Sequence, residues 1–316
     1  MLRPSTQFPH NWFLPSGTTQ QPCAWPQRRD PVLISNNQFF TLRFVALIVG
    51  ILGTLVCVNE AQSAPAFAST QPAARVEHWQ KREAAINAYL RDAKDLGAVK
   101  LLFVGDSITD FWLFDDNPWV SGQKYGRKVW DESFAKPGSE NYAFNIGISG
   151  DRIEHILYRI LPKSAGGMGQ LDAPQLNPEF IIVMLGINNS WAAEDPVADS
   201  IFAGVHVALS TLHARKPKSR IVLQSLLPTN DTAKNRAVVG VVNQRLRKLV
   251  TTPEFSRFTS YLDLYPAFTD AAGTQISKYF TDGLHPNEVG YGVWRDQLVP
   301  FLKTVRTSVH HQTNTQ

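Results

Sequence analysis

The sequence predicts an α/β fold, a parallel sheet with helices packed on both faces. Three observations point there. Short apolar runs alternate with stretches of helical periodicity from Val99 to Lys303. Two of the runs, Val99 to Val104 and Phe180 to Leu185, are apolar almost throughout, as strands covered on both faces are. The segments between runs are long enough for right-handed crossovers, and no internal repeat interrupts them.

Each element follows in order. Arg75 to Leu96 has helical spacing, with Val76, Trp79, Ile86, Tyr89 and Leu90 sharing a face, and Gly97 supplies a stop. The first strand ends at Gly105-Asp106-Ser107, a tight corner that presents a serine beyond the carboxyl edge of the sheet, where ligand chemistry gathers in such folds. Phe111 to Gly138 is rich in aromatic residues. It reads either as a substrate wall, with Trp112, Trp119 and Trp130 foremost, or as a loop that pins its aromatics to the domain edge. A second strand, Tyr142 to Ile148, closes in Ser149-Gly150-Asp151, and a helix from Arg152 to Leu161 follows. Pro162 and glycines 166, 167 and 169 mark a loop. The third strand, Phe180 to Leu185, runs into Gly186-Ile187-Asn188-Asn189. Pro196 to Lys216 is helical, with Val197, Ile201, Val205, Leu209 and Leu212 in step. A fourth strand spans Arg220 to Leu226, a helix Ala233 to Val250, and a short fifth strand Ser260 to Leu264. Asp282-Gly283-Leu284-His285-Pro286 is a loop before a final helix, Asn287 to Lys303.

The front of the chain differs. Arg43 precedes an apolar run from Phe44 to Val58, and small residues then lead to Ala66-Phe67-Ala68. A charged flank, an apolar core of this length and an Ala-x-Ala site predict export with cleavage after Ala68. The run is shorter than the roughly 20 residues of a spanning helix. An uncleaved membrane anchor over residues 44–58 is the alternative. The expected organisation is a leader over 1–68, one α/β domain over 69–305 and a polar tail over 306–316.

Composition excludes several functions. The formal charge of +4 is spread evenly, with 27 basic and 25 acidic residues from Ser69 onward, so the electrostatic footprint of a nucleic-acid binder is missing. Cys23 and Cys57 are the only cysteines, and both precede Ser69. The eight histidines form no ligand pair of metal-site spacing, so neither a metal nor another cofactor is expected. Gly-x-Ser-x-Gly, Walker A and dinucleotide-binding glycine patterns are absent.

Four segments, each at a strand end or in a loop, carry the parts of acyl-transfer chemistry. Ser107 is an alcohol that needs a neighbour to take its proton. His285 can do so near neutral pH. Asp282, three residues earlier, can hold one imidazole nitrogen in a turn. Gly150 lets a backbone N–H approach a ligand, and Asn188 offers a side-chain amide. With the Ser107 N–H, these make three donors for one oxyanion.

Together the four segments resemble the blocks of the SGNH (GDSL) hydrolase superfamily, over nearly all of Val99 to Leu302. Val129-Trp130 through Asp151, Gly169-Gln170-Leu171-Asp172 to Asn189, Leu226-Leu227-Pro228 and Leu284-His285-Pro286 are similar to its platelet-activating-factor acetylhydrolase catalytic-subunit branch. The resemblance implies a flavodoxin-like three-layer α/β/α sandwich with a parallel sheet of about five strands. It implies Ser107 as nucleophile, Asp282 and His285 as its triad partners, and Ser107, Gly150 and Asn188 at the oxyanion hole. Phe114 to Lys128 and Pro162 to Met168 look inserted relative to the family.

The expected protein is therefore a secreted or periplasmic serine esterase. It would hydrolyse short-chain or acetyl esters of a carbohydrate or lipid through an acyl-enzyme. The expected partner is a small-molecule or glycan ester, with a membrane involved only through an uncleaved anchor. Two alternatives use the same fold: a non-catalytic glycan-binding module, and an O-acyltransferase.

Overall fold

In the computed structural model, which describes residues 66–75, 80–118, 120–192 and 194–313, five strands pair in parallel. They are β1 (Leu101–Gly105), β2 (Ala143–Asn145), β3 (Phe180–Met184), β4 (Arg220–Gln224) and β5 (Thr259–Leu262). Their spatial order is β2-β1-β3-β4-β5. The helices among the described residues are α1 (Gln80–Asp92), α2 (Ser107–Asp110), α3 (Arg127–Ser133), α4 (Ile153–Ile160), α5 (Val197–Arg215), α6 (Thr232–Lys234), α7 (Gly240–Leu249) and α8 (Glu288–Thr313). All described residues belong to one unit, Ala64–Gln316.

The order reverses beside β1. The chain passes from β1 to β2 on one side and returns to β3 on the other. That reversal opens a crevice at the carboxyl ends of β1 and β3, the usual ligand position in an open parallel sheet. Every residue of β1 and β3 is buried, which accounts for their uninterrupted apolar sequences. The helices pack in two groups, α5 against α4 and α7, and α3 against α8. Ile201, Val205, Leu209 and Leu212 form the buried stripe of α5.

Several elements differ from expectation. The regular ladder of β2 stops at Asn145: beyond it Ile146 and Ile148 N–H still bond β1 carbonyls, while Gly147 N–H, Ser149 N–H and Ile146 O turn to side-chain partners. The aromatic stretch holds α3, whose short amphipathic pattern rests on Val129 and Trp130 alone. Its aromatics are structural. Trp112 is 0% exposed and Trp130 5%. The Trp112 ring lies 4.6 Å from Tyr291 and 5.1 Å from Trp294 of α8, and Trp130 lies 5.1 Å from Phe103 of β1. The substrate wall expected of Trp112 and Trp130 is thus corrected: their large apolar area is removed from water between β1 and α8. Trp119 lies outside the described residues. So do the leader through residue 65, with the apolar run Phe44 to Val58, and the expected helix positions Val76 and Trp79.

Both ends of the domain are tied down. Ala68–Thr70 forms a 3-10 turn, and Ser69, the residue after the expected cleavage point, is fully buried. α8 continues past the boundary expected at 305, and Arg306 bonds Glu179, Asn141 and the Glu140 carbonyl.

Candidate active site

β1 ends at Gly105, where a Cβ would collide with Thr109 and with the Met184 carbonyl of β3. Only glycine lets the chain turn there. Asp106 then caps α2, its Oδ1 accepting the Ile108 N–H at 3.0 Å. Ser107 is consequently the first residue of that helix, and its own N–H has no acceptor among the described residues.

The loop after the 3-10 turn Ser277–Tyr279 brings His285 across from the far end of the chain. Ser107 Oγ and His285 Nε2 stand 2.9 Å apart, although 178 residues separate them in sequence. His285 Nδ1 lies 2.7 Å from Asp282 Oδ2. Asp282 Oδ1 accepts the N–H groups of Leu284 and His285 at 3.0 and 2.8 Å, so carboxylate and imidazole share one rigid turn. Gly283, at φ +79°, permits it. The Phe111 ring rests against the imidazole, 4.9 Å between centroids. Partial burial pushes the Asp282 carboxyl up, but the hydrogen bond and charge of His285 and the two backbone N–H groups outweigh it and hold it down at about 2. With a proton on Nδ1 directed at that carboxylate, Nε2 is left to accept one from Ser107.

The loop after β2 supplies further donors. Along it, Ile146 N–H bonds Phe103 O, Gly147 N–H bonds Asn145 Oδ1 and Ile148 N–H bonds Gly105 O. Ser149 N–H bonds Asp110 Oδ2, and Asp151 N–H bonds Ile148 O. Gly150 N–H alone has no acceptor among the described residues, and Gly150 is exposed. Asn188 opens the 3-10 turn after β3 (Asn188–Trp191), and its Nδ2 donates to Asp151 O at 2.8 Å. One of its two amide hydrogens remains available. The expected residues Ser107, His285 and Asp282 therefore form one chain of contacts. Gly150 and Asn188 are joined to each other through Asp151. The arrangement can pass a proton from an alcohol to an imidazole and can present donors to a developing negative charge.

Other residues at the site were not anticipated from sequence. Arg159 is fully buried and bonds Asp151 Oδ2 at 2.9 Å, and Arg75 reaches Asp151 Oδ1 at 3.2 Å. A charged residue beside the apolar stripe Ile153, Ile156, Leu157 and Ile160 was the readable signal for Arg159. Trp191, three residues beyond Asn188, is 55% exposed. Lys234 Nζ stands 3.7 Å from its ring centroid and 3.3 Å from Ser190 Oγ. The segment before Lys234 is fastened to the His285 loop, since Asn230 N–H bonds Gly283 O at 2.8 Å. Lys234 thus joins the Asn188–Trp191 turn to the segment that is fastened to the His285 loop. Among the described residues no three His, Cys, Asp or Glu side chains converge as a metal site.

A family model described as GDSL-like lipase/acylhydrolase matches residues 103–293, more than half of the chain. Among curated proteins, the chain is 28% identical over 206 residues to the platelet-activating factor acetylhydrolase IB subunit alpha2 of Rattus norvegicus, covering 65% of this chain and 76% of that protein. It is 26% identical over 204 residues to the alpha1 subunit of Pongo abelii, covering 64% and 74%. Among solved structures, a GDSL-like lipase from Bacteroides thetaiotaomicron superposes with a TM-score of 0.50 at 19% identity, over 71% of this chain and 97% of that one. This last likeness is one of fold.

Proposed function

The chain belongs to the GDSL-like lipase/acylhydrolase family, and from that premise we propose a serine esterase that cleaves short-chain carboxylic esters, acetyl above all, through an acyl-enzyme. Membership makes it a hydrolase. The observation that carries the finer reading is the continuous contact from Ser107 Oγ through His285 to Asp282, at 2.9 and 2.7 Å.

In this reading Ser107 Oγ attacks the ester carbonyl carbon as His285 Nε2 takes the hydroxyl proton. Asp282 steadies the resulting imidazolium. The carbonyl π pair moves to oxygen, where the N–H groups of Ser107 and Gly150 and the Asn188 amide receive it. The intermediate collapses, the C–O bond to the alcohol breaks, and His285 returns the proton to the departing alcohol. Water then repeats the sequence on the acyl-enzyme, and the carboxylic acid leaves with Ser107 restored.

The curated relatives are by name acetylhydrolases, which favours acetyl as the acyl group. For the alcohol, the exposed Trp191 ring with the Lys234 ammonium and Ser190 hydroxyl beside it favours a sugar, whose C–H face stacks on indole while its hydroxyls bond the polar groups. The Arg43-to-Ala68 leader favours a secreted or periplasmic enzyme.

A panel of aryl esters of graded chain length, run beside acetylated xylobiose, tests the proposal. Acetyl esters should turn over fastest, and Trp191→Ala should raise KM for acetylated xylobiose while leaving ethyl acetate hydrolysis unchanged. Preference for long acyl chains, or equal effects of Trp191→Ala on both esters, would refute the substrate reading.

A further inference from the structure

Three arginines grip the carbonyl side of the loop that carries Gly150. Arg82 donates to Asn145 O at 2.8 Å and to Gly147 O at 3.1 Å. Arg159 donates to Ile146 O at 2.7 Å. Arg75 Nη1 donates to Ser149 O at 2.7 Å. The last contact differs in kind from the others. Ser149 C=O and Gly150 N–H belong to one peptide unit, which is planar and trans, so the two groups point in opposite directions. Fixing the carbonyl therefore fixes where the N–H points. The peptide needs fixing, because Gly150 at φ +78° has no side chain to oppose a flip. A flipped unit would aim a carbonyl where the donor now stands. A guanidinium bond to the carbonyl also polarises the peptide and makes its N–H a stronger donor.

Arg75 comes from outside the residues that the family model matches. It belongs to a strap that includes Ala68–Thr70, which lies against α4 and α5. Ala73 N–H bonds Glu154 O of α4 at 3.0 Å, and Ser69 Oγ bonds Ser200 O of α5 at 2.7 Å. Ser200 Oγ and Ala68 N–H both reach Glu194. Gly204 of α5 leaves the notch in which Ser69 sits, since a Cβ there would stand 2.8 Å from Ser69 O. Arg75 is thus held from behind, with its side chain 17% exposed. The same Nη1 also donates to Asp151 Oδ1 at 3.2 Å, while Arg159 occupies Asp151 Oδ2.

We infer that Arg75 is a positioning residue of the oxyanion hole, holding the Ser149–Gly150 peptide so that the Gly150 N–H stays turned to the substrate. The inference rests on the esterase reading above. It adds that the strap, although remote from the four sequence blocks, sets the quality of one catalytic donor.

The test compares Arg75→Ala and Arg75→Lys with the wild-type chain, counting active sites by fluorophosphonate labelling so that unfolded protein does not enter the rate. Arg75→Ala should lower kcat on an aryl acetate by roughly 10²-fold, the scale of a misplaced catalytic group, with little change in KM. Affinity for a trifluoromethyl ketone, whose adduct carries the oxyanion, should fall in parallel. Arg75→Lys should recover part of kcat, and millimolar guanidinium should partly rescue Arg75→Ala. Unchanged kcat per labelled site would overturn the inference. So would a loss that tracks thermal stability while trifluoromethyl ketone affinity stays constant. A wild-type protein inert to esters and to fluorophosphonate would overturn the esterase reading itself, a distinct outcome visible before any variant is made.

Discussion

Replacing Gly150 by alanine perturbs one donor with little else changed. The backbone there is left-handed, φ +78°, and a residue with a Cβ in that region costs about 1–2 kcal/mol. For a domain of this size that lowers Tm by about 2–8 °C. The added Cβ would stand 2.6 Å from Arg75 Nη2 and 3.1 Å from Nη1. The guanidinium is the end of a flexible side chain, so it yields rather than the backbone, and in moving it releases the Ser149 carbonyl. Losing one oriented oxyanion donor costs roughly 10²- to 10³-fold in kcat. Gly138 supplies the control: it has φ +83°, a Cβ there would meet nothing within 4 Å, and it lies in a turn before the amino end of β2. Gly138→Ala should show the same modest loss of Tm and no loss of turnover. The assay is aryl acetate hydrolysis beside thermal unfolding on both variants. A folded Gly150→Ala enzyme with near wild-type kcat, or an equal kinetic loss in Gly138→Ala, would refute the reasoning.

Other outcomes follow from the same geometry. Asn188→Ala removes both a donor and the bond to Asp151 O, and should lower kcat by roughly 10²- to 10³-fold while the fold survives, read by turnover and circular dichroism. Asp282→Asn should leave labelling at Ser107 slow but specific; unchanged labelling kinetics would remove Asp282 from the relay. Because the Asp282 carboxyl is held down at about 2, its stabilising contribution is complete above the ordinary carboxylate range and is lost only as pH falls towards 2. The Tm difference between Asp282→Asn and wild type should therefore stay constant between about pH 5 and 8 as far as this carboxyl is concerned, and a difference that shrinks across that range would contradict the assignment. Burial, reinforced by the Asp151 charge and opposed by the Ile108 N–H and by His285, pushes the Asp106 carboxyl up to about 7. Its folded value exceeds its unfolded one, so the stability it lends is full below about pH 4 and is lost as pH rises through about 7. Asp106→Asn keeps the cap on α2 without a titrating proton, and should gain on wild type between about pH 4 and pH 8. The gain should grow as pH rises across that range, because the folded chain holds the proton more tightly than the unfolded one. Parallel pH–Tm curves for the two proteins would contradict this.

Much of the architecture was legible because burial on both faces leaves a mark on sequence. β1 and β3 are apolar through their length, and the stripe of α5 keeps its period. Ser107, His285 and Asp282 were legible because nucleophile chemistry restricts residue type and because Asp282 and His285 share one turn. Aromatic residues misled, since an indole under α8 and an indole at a site mouth have the same letter. Trp112 is core, while Trp191 is exposed. β2 was overextended because Ile146 and Ile148 are buried and still donate their N–H groups to Phe103 O and Gly105 O of β1, although the regular ladder ends at Asn145. Arg75 and Arg82 were invisible for a different reason. Their partners are carbonyls and carboxylates on one loop, and no local pattern records a contact of that range.

The central claim is that the imidazole of His285 makes the Ser107 hydroxyl a covalent nucleophile. Intact-mass analysis after brief exposure to an activated acetyl ester at low pH reads it directly. The account predicts one acetyl adduct, mapped to Ser107, absent from Ser107→Ala and strongly reduced in His285→Ala. An adduct on another residue, or ester turnover that persists in Ser107→Ala, would contradict it.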